Sequence, residues 1–315
     1  MKVLRCVSTV FVFALVGSEV SANTQGYRTR VQGTVTSFSR DAARIVAIRN
    51  YLHTDGFVDV ISRKDARESK AIPVTGYAKR ASISGSGAVL AVASEGRVID
   101  VWNANSGNRL NRLAINSDWN STIAISADDR LIAANDEDKT LGIWNVATGK
   151  RITSLNGHNS RIVATAFSTD GRHVASSDES GEIIVWNLQL KRLAQRLHRH
   201  TRAVTSLAFT SDSKLLASAS SDRSVYLWDW QTSKEPQTAF RSESELTVLT
   251  FSPTDRLLAA GDTAGQISIW SVDGTKHRNY KVTDNLPITA ICLFGASPEV
   301  AVGTHREFAV VGGGP

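Results

Sequence analysis

Five of the seven tryptophans, Trp102, Trp144, Trp186, Trp228 and Trp270, stand 42 residues apart at every step. A second register keeps the same step: Ile83, Ile125, Phe167, Phe209, Phe251 and Leu293. Two independent registers with one period exclude chance. A chain that repeats itself in this way folds as stacked copies of one supersecondary unit, none of which can bury its apolar face alone.

The unit is clearest from Thr201 to Trp230. VTSLAF runs up to a polar turn, LLASAS follows, and after SSDR the alternating SVYLWDW reaches Trp228. These are three short strands by their β-branched content and period of two. Stretches such as KRITSLNG (150–157) and LKRLAQRL (190–197) supply a fourth, outer strand. A period of about 40–45 residues with four strands per copy is the pattern of a β-propeller blade. Seven copies can be traced, with Ile61 and Val311 in the tryptophan place of the first and last. The last copy lacks its outer strand, and YRTRVQG (27–33) matches one. Open sheet edges invite aggregation, so the N-terminal strand is expected to complete the last blade and close the ring. The predicted fold is all-β: a seven-bladed propeller of four-stranded blades, one domain over residues 23–315, monomeric.

His200 stands just before its unit, Asp222 lies in the turn, and Trp228 is followed by Asp229. In these residues the copy resembles a WD40 repeat, and the resemblance extends over nearly all of 24–311. It implies a His, a Ser or Thr, an Asp and a Trp hydrogen-bonded across each blade. By that pattern only the fifth copy is complete, with His200, Ser218 or Ser220, Asp222 and Trp228. The fourth has His158 and Trp186 but exchanges Asp178 and Ser180. The third keeps Asp138 and Trp144, with Asn116 in the His place. The other blades are expected to rest on apolar packing.

Residues 1–22 do not belong to the repeat. Lys2 and Arg5 precede an apolar run from Cys6 to Val16, and Val20-Ser21-Ala22 closes it with small residues. That is the plan of a secretory signal peptide cleaved after Ala22. The run is shorter than the ~20 residues of a spanning helix. The mature chain is thus expected in the periplasm or outside the cell, without a membrane span. It would keep one cysteine, Cys292, in a strand where its counterparts are Ala166 and Ala208, so a buried thiol is expected and no internal disulfide.

No phosphate loop, nucleophile elbow or HExxH is present. His198 and His200 have ligand-like spacing, but no cysteine or acid is close in sequence, so no metal and no cofactor are expected. The basic stretch LKRLAQRLHRHTR (190–202) has no interleaved aromatic residues to stack bases, which argues against nucleic acid. The net charge of +6 is spread along the chain. The resemblance and the lack of catalytic groups together imply a non-catalytic platform that binds a protein partner. The rival readings are an enzyme or small-ligand binder using the central channel, and a rim that binds an anionic envelope polymer.

In such propellers the loop entering each first strand shares a face with the turn between the second and third strands. Counting back from the two registers gives Tyr77, Trp119, Arg161, Ala203, Glu245 and Pro287, and then Glu95, Glu137, Glu179, Ser221 and Thr263. Tyr, Trp and Arg are common interface anchors. The predicted docking residues are Tyr77, Trp119, Arg161, Glu245, Glu95, Glu137 and Glu179.

Overall fold

The computed structural model describes residues 26–31, 33–50, 56–63, 69–116, 122–275, 277–294, 299–305 and 307–311. The predicted signal segment and Trp119 lie outside them. The described chain is all strand and turn, with no helix.

A short strand, β1 (Gly26–Arg30), comes first. The first blade is β2 (Thr34–Phe38), β3 (Arg44–Arg49), β4 (Gly56–Ser62) and β5 (Lys70–Val74). The second is β6 (Ala78–Ile83), β7 (Val89–Ser94), β8 (Val98–Asn103) and β9 (Arg109–Ala114). The third is β10 (Ile123–Ile125), β11 (Leu131–Glu137), β12 (Thr140–Asn145) and β13 (Arg151–Asn156). The fourth is β14 (Ile162–Phe167), β15 (His173–Asp178), β16 (Glu182–Asn187) and β17 (Arg192–His198). The fifth is β18 (Val204–Phe209), β19 (Leu215–Ser220), β20 (Ser224–Asp229) and β21 (Thr238–Arg241). The sixth is β22 (Leu246–Phe251), β23 (Leu257–Asp262), β24 (Gln266–Ser271) and β25 (His277–Lys281).

The seventh blade contributes β26 (Ala290–Phe294), β27 (Glu299–Gly303) and β28 (Glu307–Val311), and β1 pairs antiparallel with β28. Each inner strand neighbours the next around the ring, and β26 returns to β2. The result is a seven-bladed propeller.

The period-42 tryptophans occupy one place in every blade that has them. Ile132–Trp144, Val174–Trp186, Leu216–Trp228 and Leu258–Trp270 are equivalent cross-strand pairs. Ile45–Ile61 and Val300–Val311 fill that place in the first and seventh blades. Second strands are buried on both faces because each blade is sandwiched between two others. In β7, Leu90 and Val92 pack toward the first blade, while Val89, Ala91 and Ala93 pack toward the third. Such strands read as continuous apolar runs rather than alternating ones.

The first hairpin is built alike in six blades. A buried hydroxyl (Ser39, Ser84, Ser126, Ser168, Thr210 or Ser252) accepts the amide of the residue five places on. Within it Gly87, Asp129, Gly171, Ser213 and Asp255, again 42 apart, take a left-handed backbone with φ between 56° and 75°. Glycine does so without strain, and Asp is among the better-tolerated alternatives.

One joint recurs between blades. Near the start of an inner strand, a backbone carbonyl accepts a side chain of the preceding blade. Asn50 donates to Ala78 O at 2.8 Å, Asn135 to Ile162 O at 3.1 Å and Ser177 to Val204 O at 2.8 Å. Thr205 donates to Leu246 O at 2.9 Å, Thr247 to Ile288 O at 2.6 Å and Thr289 to Val35 O at 2.6 Å. The acceptor position is constant. The donor moves from the second strand or its end, in the first, third and fourth blades, to the inner strand or the residue before it in the last three. Thr205 and Thr247 sit at β-bulges there.

Candidate interaction face

The two rings counted from sequence lie side by side. Glu95 N–H donates to Tyr77 O at 3.2 Å, Glu179 N–H to Arg161 O at 3.0 Å and Ser221 N–H to Ala203 O at 2.9 Å. Thr263 N–H likewise donates to Glu245 O at 2.9 Å. In each of these four blades a backbone hydrogen bond therefore fastens the entry loop to the adjacent turn, so both belong to one end of the ring.

On that face Tyr77 is 53% exposed, and Glu95, Glu137 and Glu179 are exposed. Arg161 pairs with Glu179 at 3.3 Å, and Arg202 with Glu245 at 2.5 Å. These exposed ion pairs contribute little to stability, typically ~0–1 kcal/mol. Arg202 belongs to this ring of charge, although counting in steps of 42 puts Ala203 in its place. Trp119, predicted between Tyr77 and Arg161, is outside the described residues.

The buried networks bind the blades from within. In the fifth, His200 Nδ1 meets Asp222 Oδ2 at 3.0 Å and His200 Nε2 meets Ser218 Oγ at 2.7 Å. Trp228 Nε1 donates to the same Ser218 Oγ at 2.9 Å. Ser218 is therefore the shared hydroxyl. Ser220 instead donates to Arg202 O and accepts Asp222 N–H.

The fourth blade, expected to be incomplete, has the same chain. His158 Nδ1 meets Asp178 Oδ2 at 2.9 Å, His158 Nε2 meets Ser176 Oγ at 2.7 Å, and Trp186 Nε1 donates to Ser176 Oγ at 2.8 Å. Asp178 ends the second strand, two residues before the usual place for the turn aspartate, and still reaches the imidazole. Ser180 Oγ donates to Asp178.

In the third blade Asp138 is exposed, and its carboxylate bonds none of the described residues. The buried acid is Asp136, which accepts Asn116 N–H, Ser154 Oγ and an ion pair from Arg151. A register shift between Asn135 and Glu137 accompanies this. Asp262 in the sixth blade stands in the same place, capping the amides of Ala264 and Gln266. Asp136, Asp178 and Asp262 lie on the period of 42 or its multiple, a signal the tryptophan-based alignment passed over. In the second blade, Trp102 Nε1 is buried without a partner among the described residues, and the Arg109 guanidinium lies 6.0 Å from its ring.

The electrostatics follow the bonding. Burial raises the Asp178 carboxyl, but hydrogen bonds from His158 and Ser180 outweigh it and hold the pKa at about 2. Asp222 is likewise raised by burial and driven well below the carboxylate range by His200, Ser224 and the Thr201 amide. Cys292 is buried, and burial pushes its thiol up to about 12.

A family model for the WD domain, G-beta repeat, matches residues 149–187, 191–229 and 234–271. These spans hold the tryptophan strands of the fourth, fifth and sixth blades, two of them with full His–Ser–Trp networks. The chain carries WD40 repeats. No curated protein matches it. WD40 propellers commonly serve as scaffolds for protein interactions.

Within the WD40 repeats, His198 and His200 do not share a site. His198 is exposed on β17 and lies 3.3 Å from Glu182 of the fourth blade, whereas His200 is buried in the fifth. His158, Asp178 and Glu182 bring one ligand atom each within 4.8 Å of one another. Both His158 nitrogens are already bonded, to Asp178 and Ser176, so this cluster is accounted for as blade bracing. The basic stretch is partly neutralised, since Arg196 pairs with Glu182 and Arg202 with Glu245. Trp230 is core, donating Nε1–H to Ser213 O at 3.0 Å.

Proposed function

We propose that the protein is a non-catalytic, exported interaction platform whose partner is a protein bound on the face of Tyr77, Trp119, Arg161 and Glu179. The observation carrying this reading is the repeated bond between entry loop and turn, Glu95 N to Tyr77 O and its equivalents. It holds side chains from separate parts of the chain on a rigid backbone, which lowers the ordering cost of binding. Tyr77 offers a large amphipathic surface beside acids and an arginine, the composition of an interface anchor with a polar rim. The export expectation rests on residues 1–22 and is tested by N-terminal sequencing, which should begin at Asn23.

The docking test compares the wild type with the double variant Y77A/W119A as bait in native envelope extract, and uses L190A on the rim as control. Capture by the double variant should fall by about tenfold or more. Its stability should change by less than about 0.5 kcal/mol, as for most solvent-facing substitutions. A variant that melts sharply while its folded fraction still captures the same protein would move the docking face elsewhere.

A further inference from the structure

The seven inner strands line the axis of the ring, and six carry no charge: TVTSF, IAI, IVATAF, VTSLAF, LTVLTF and AICLF. The exception is β6, AKRASI, with Lys79 and Arg80 side by side. Their positions have defined duties elsewhere. At the bulge, Lys79 stands where the first, fifth and sixth blades have Thr36, Thr205 and Thr247. Arg80 stands where the first and fifth have Ser37 and Ser206. Those hydroxyls accept the amides of Ile83 and Leu249 on the next inner strand, both at 3.1 Å. Two cations thus stand where the fifth blade has two hydroxyls that reach the next blade.

Both side chains are exposed, although β6 is flanked by β2 and β10 and covered behind by β7. From an innermost strand the water within reach is that of the central channel and its mouth. Tyr77, just before β6, places that mouth on the proposed docking face. Arg80 has no ion pair among the described residues, and the surrounding channel wall shifts its pKa downward. Departures of this kind from a repeat's own rule are expected where function is served.

We propose that Lys79 and Arg80 form an oxyanion site at the mouth of the central channel, taking a carboxylate or phosphate group. A guanidinium grips two oxygens of either group in a planar fork, and the adjacent ammonium adds a point charge. The group can arrive on a free small molecule or on an acidic peptide threaded into the mouth. The site stands whether or not Tyr77 and Trp119 bind a partner.

The test is calorimetric titration of the whole protein at low salt with inorganic phosphate, citrate and hexaglutamate. The decisive variant is K79T/R80S, which restores the residues of the first and fifth blades. R80Q, which keeps length and hydrogen bonding but not charge, repeats the test on a second chain. At least one probe should bind the wild type and bind both variants about tenfold more weakly or worse. K79T/R80S should melt no lower than the wild type. Phosphate or citrate binding identifies a free anion, and binding of hexaglutamate alone identifies a peptide-borne one. The proposal falls if no probe binds, or if binding survives in whichever variant folds. A lower melting temperature with unchanged binding would make the pair structural.

Discussion

Thr289 Oγ1 donates to the carbonyl of Val35 at 2.6 Å, across 254 residues of sequence. The bond joins the seventh blade to the first and repeats the bond by which Thr247 reaches Ile288 between the sixth and seventh. Val35 N–H in turn donates to Thr304 O at 3.0 Å. The two ends of the ring therefore meet through the same kind of joint as blades adjacent in sequence.

Removing that joint should cost what a buried hydrogen bond costs. Thr289→Val keeps the shape and leaves Val35 O without its side-chain donor, for a loss of about 1–2 kcal/mol. Thr247→Val should lose a similar amount. Urea unfolding of both variants checks this. A loss at Thr247 without one at Thr289 would show that the closing boundary carries no load.

The N-terminal strand is expected to act as a latch over β28. Deleting residues 24–33 would bare the outer edge of β28 and should lower the melting temperature markedly or cause aggregation. Deleting Gly312 to Pro315 should be tolerated. Equal stability of the two truncations would place the latch elsewhere.

Ser218 and Ser220 should differ on substitution. Ser218→Ala strips partners from both His200 Nε2 and the Trp228 indole N–H, leaving buried polar atoms unpaired at a cost of about 2–3 kcal/mol. Ser220→Ala should cost about 1 kcal/mol. Ser176→Ala should match Ser218→Ala, because the fourth blade has the same geometry. Near-ultraviolet circular dichroism and denaturant midpoints distinguish these outcomes.

Acid should weaken the fourth blade in a defined window. The Asp178 carboxyl sits at about 2, below its ordinary 3.8. A depressed folded-state value stabilises fully above the ordinary value and is lost as pH falls from 3.8 toward 2. The contribution is about 2 kcal/mol. In Asp178→Asn the pH dependence of stability between 4 and 2 should be shallower than in the wild type. An unchanged slope would contradict the assignment.

The fold was legible because its signal is geometric and repeated. Five tryptophans and six strand-closing residues keep one step, and each tryptophan occupies the same cross-strand place. That the entry loops and the turns share one face was legible for the same reason, since Tyr77 and Glu95 are reached by counting. Counting failed where a side chain reaches its partner by another route. Asp178 bonds His158 from the end of a strand rather than from a turn. Asp136 is buried while Asp138 points to solvent. Arg202, rather than Ala203 at the counted position, meets Glu245. Lys79 and Arg80 were visible as letters, but their oddity shows only against the hydroxyls that register aligns with them.

The meeting of β26 with β2 also sets a clock. Every other blade boundary joins stretches made one after the other, so it can form while the chain is still emerging. The contacts of Val35 with Thr289 and Thr304 must wait until the chain has been made as far as Thr304. Until then the first and sixth blades each present an uncovered apolar flank. The most exposed moment in the life of this protein should therefore fall late, with six blades assembled and the seventh still arriving.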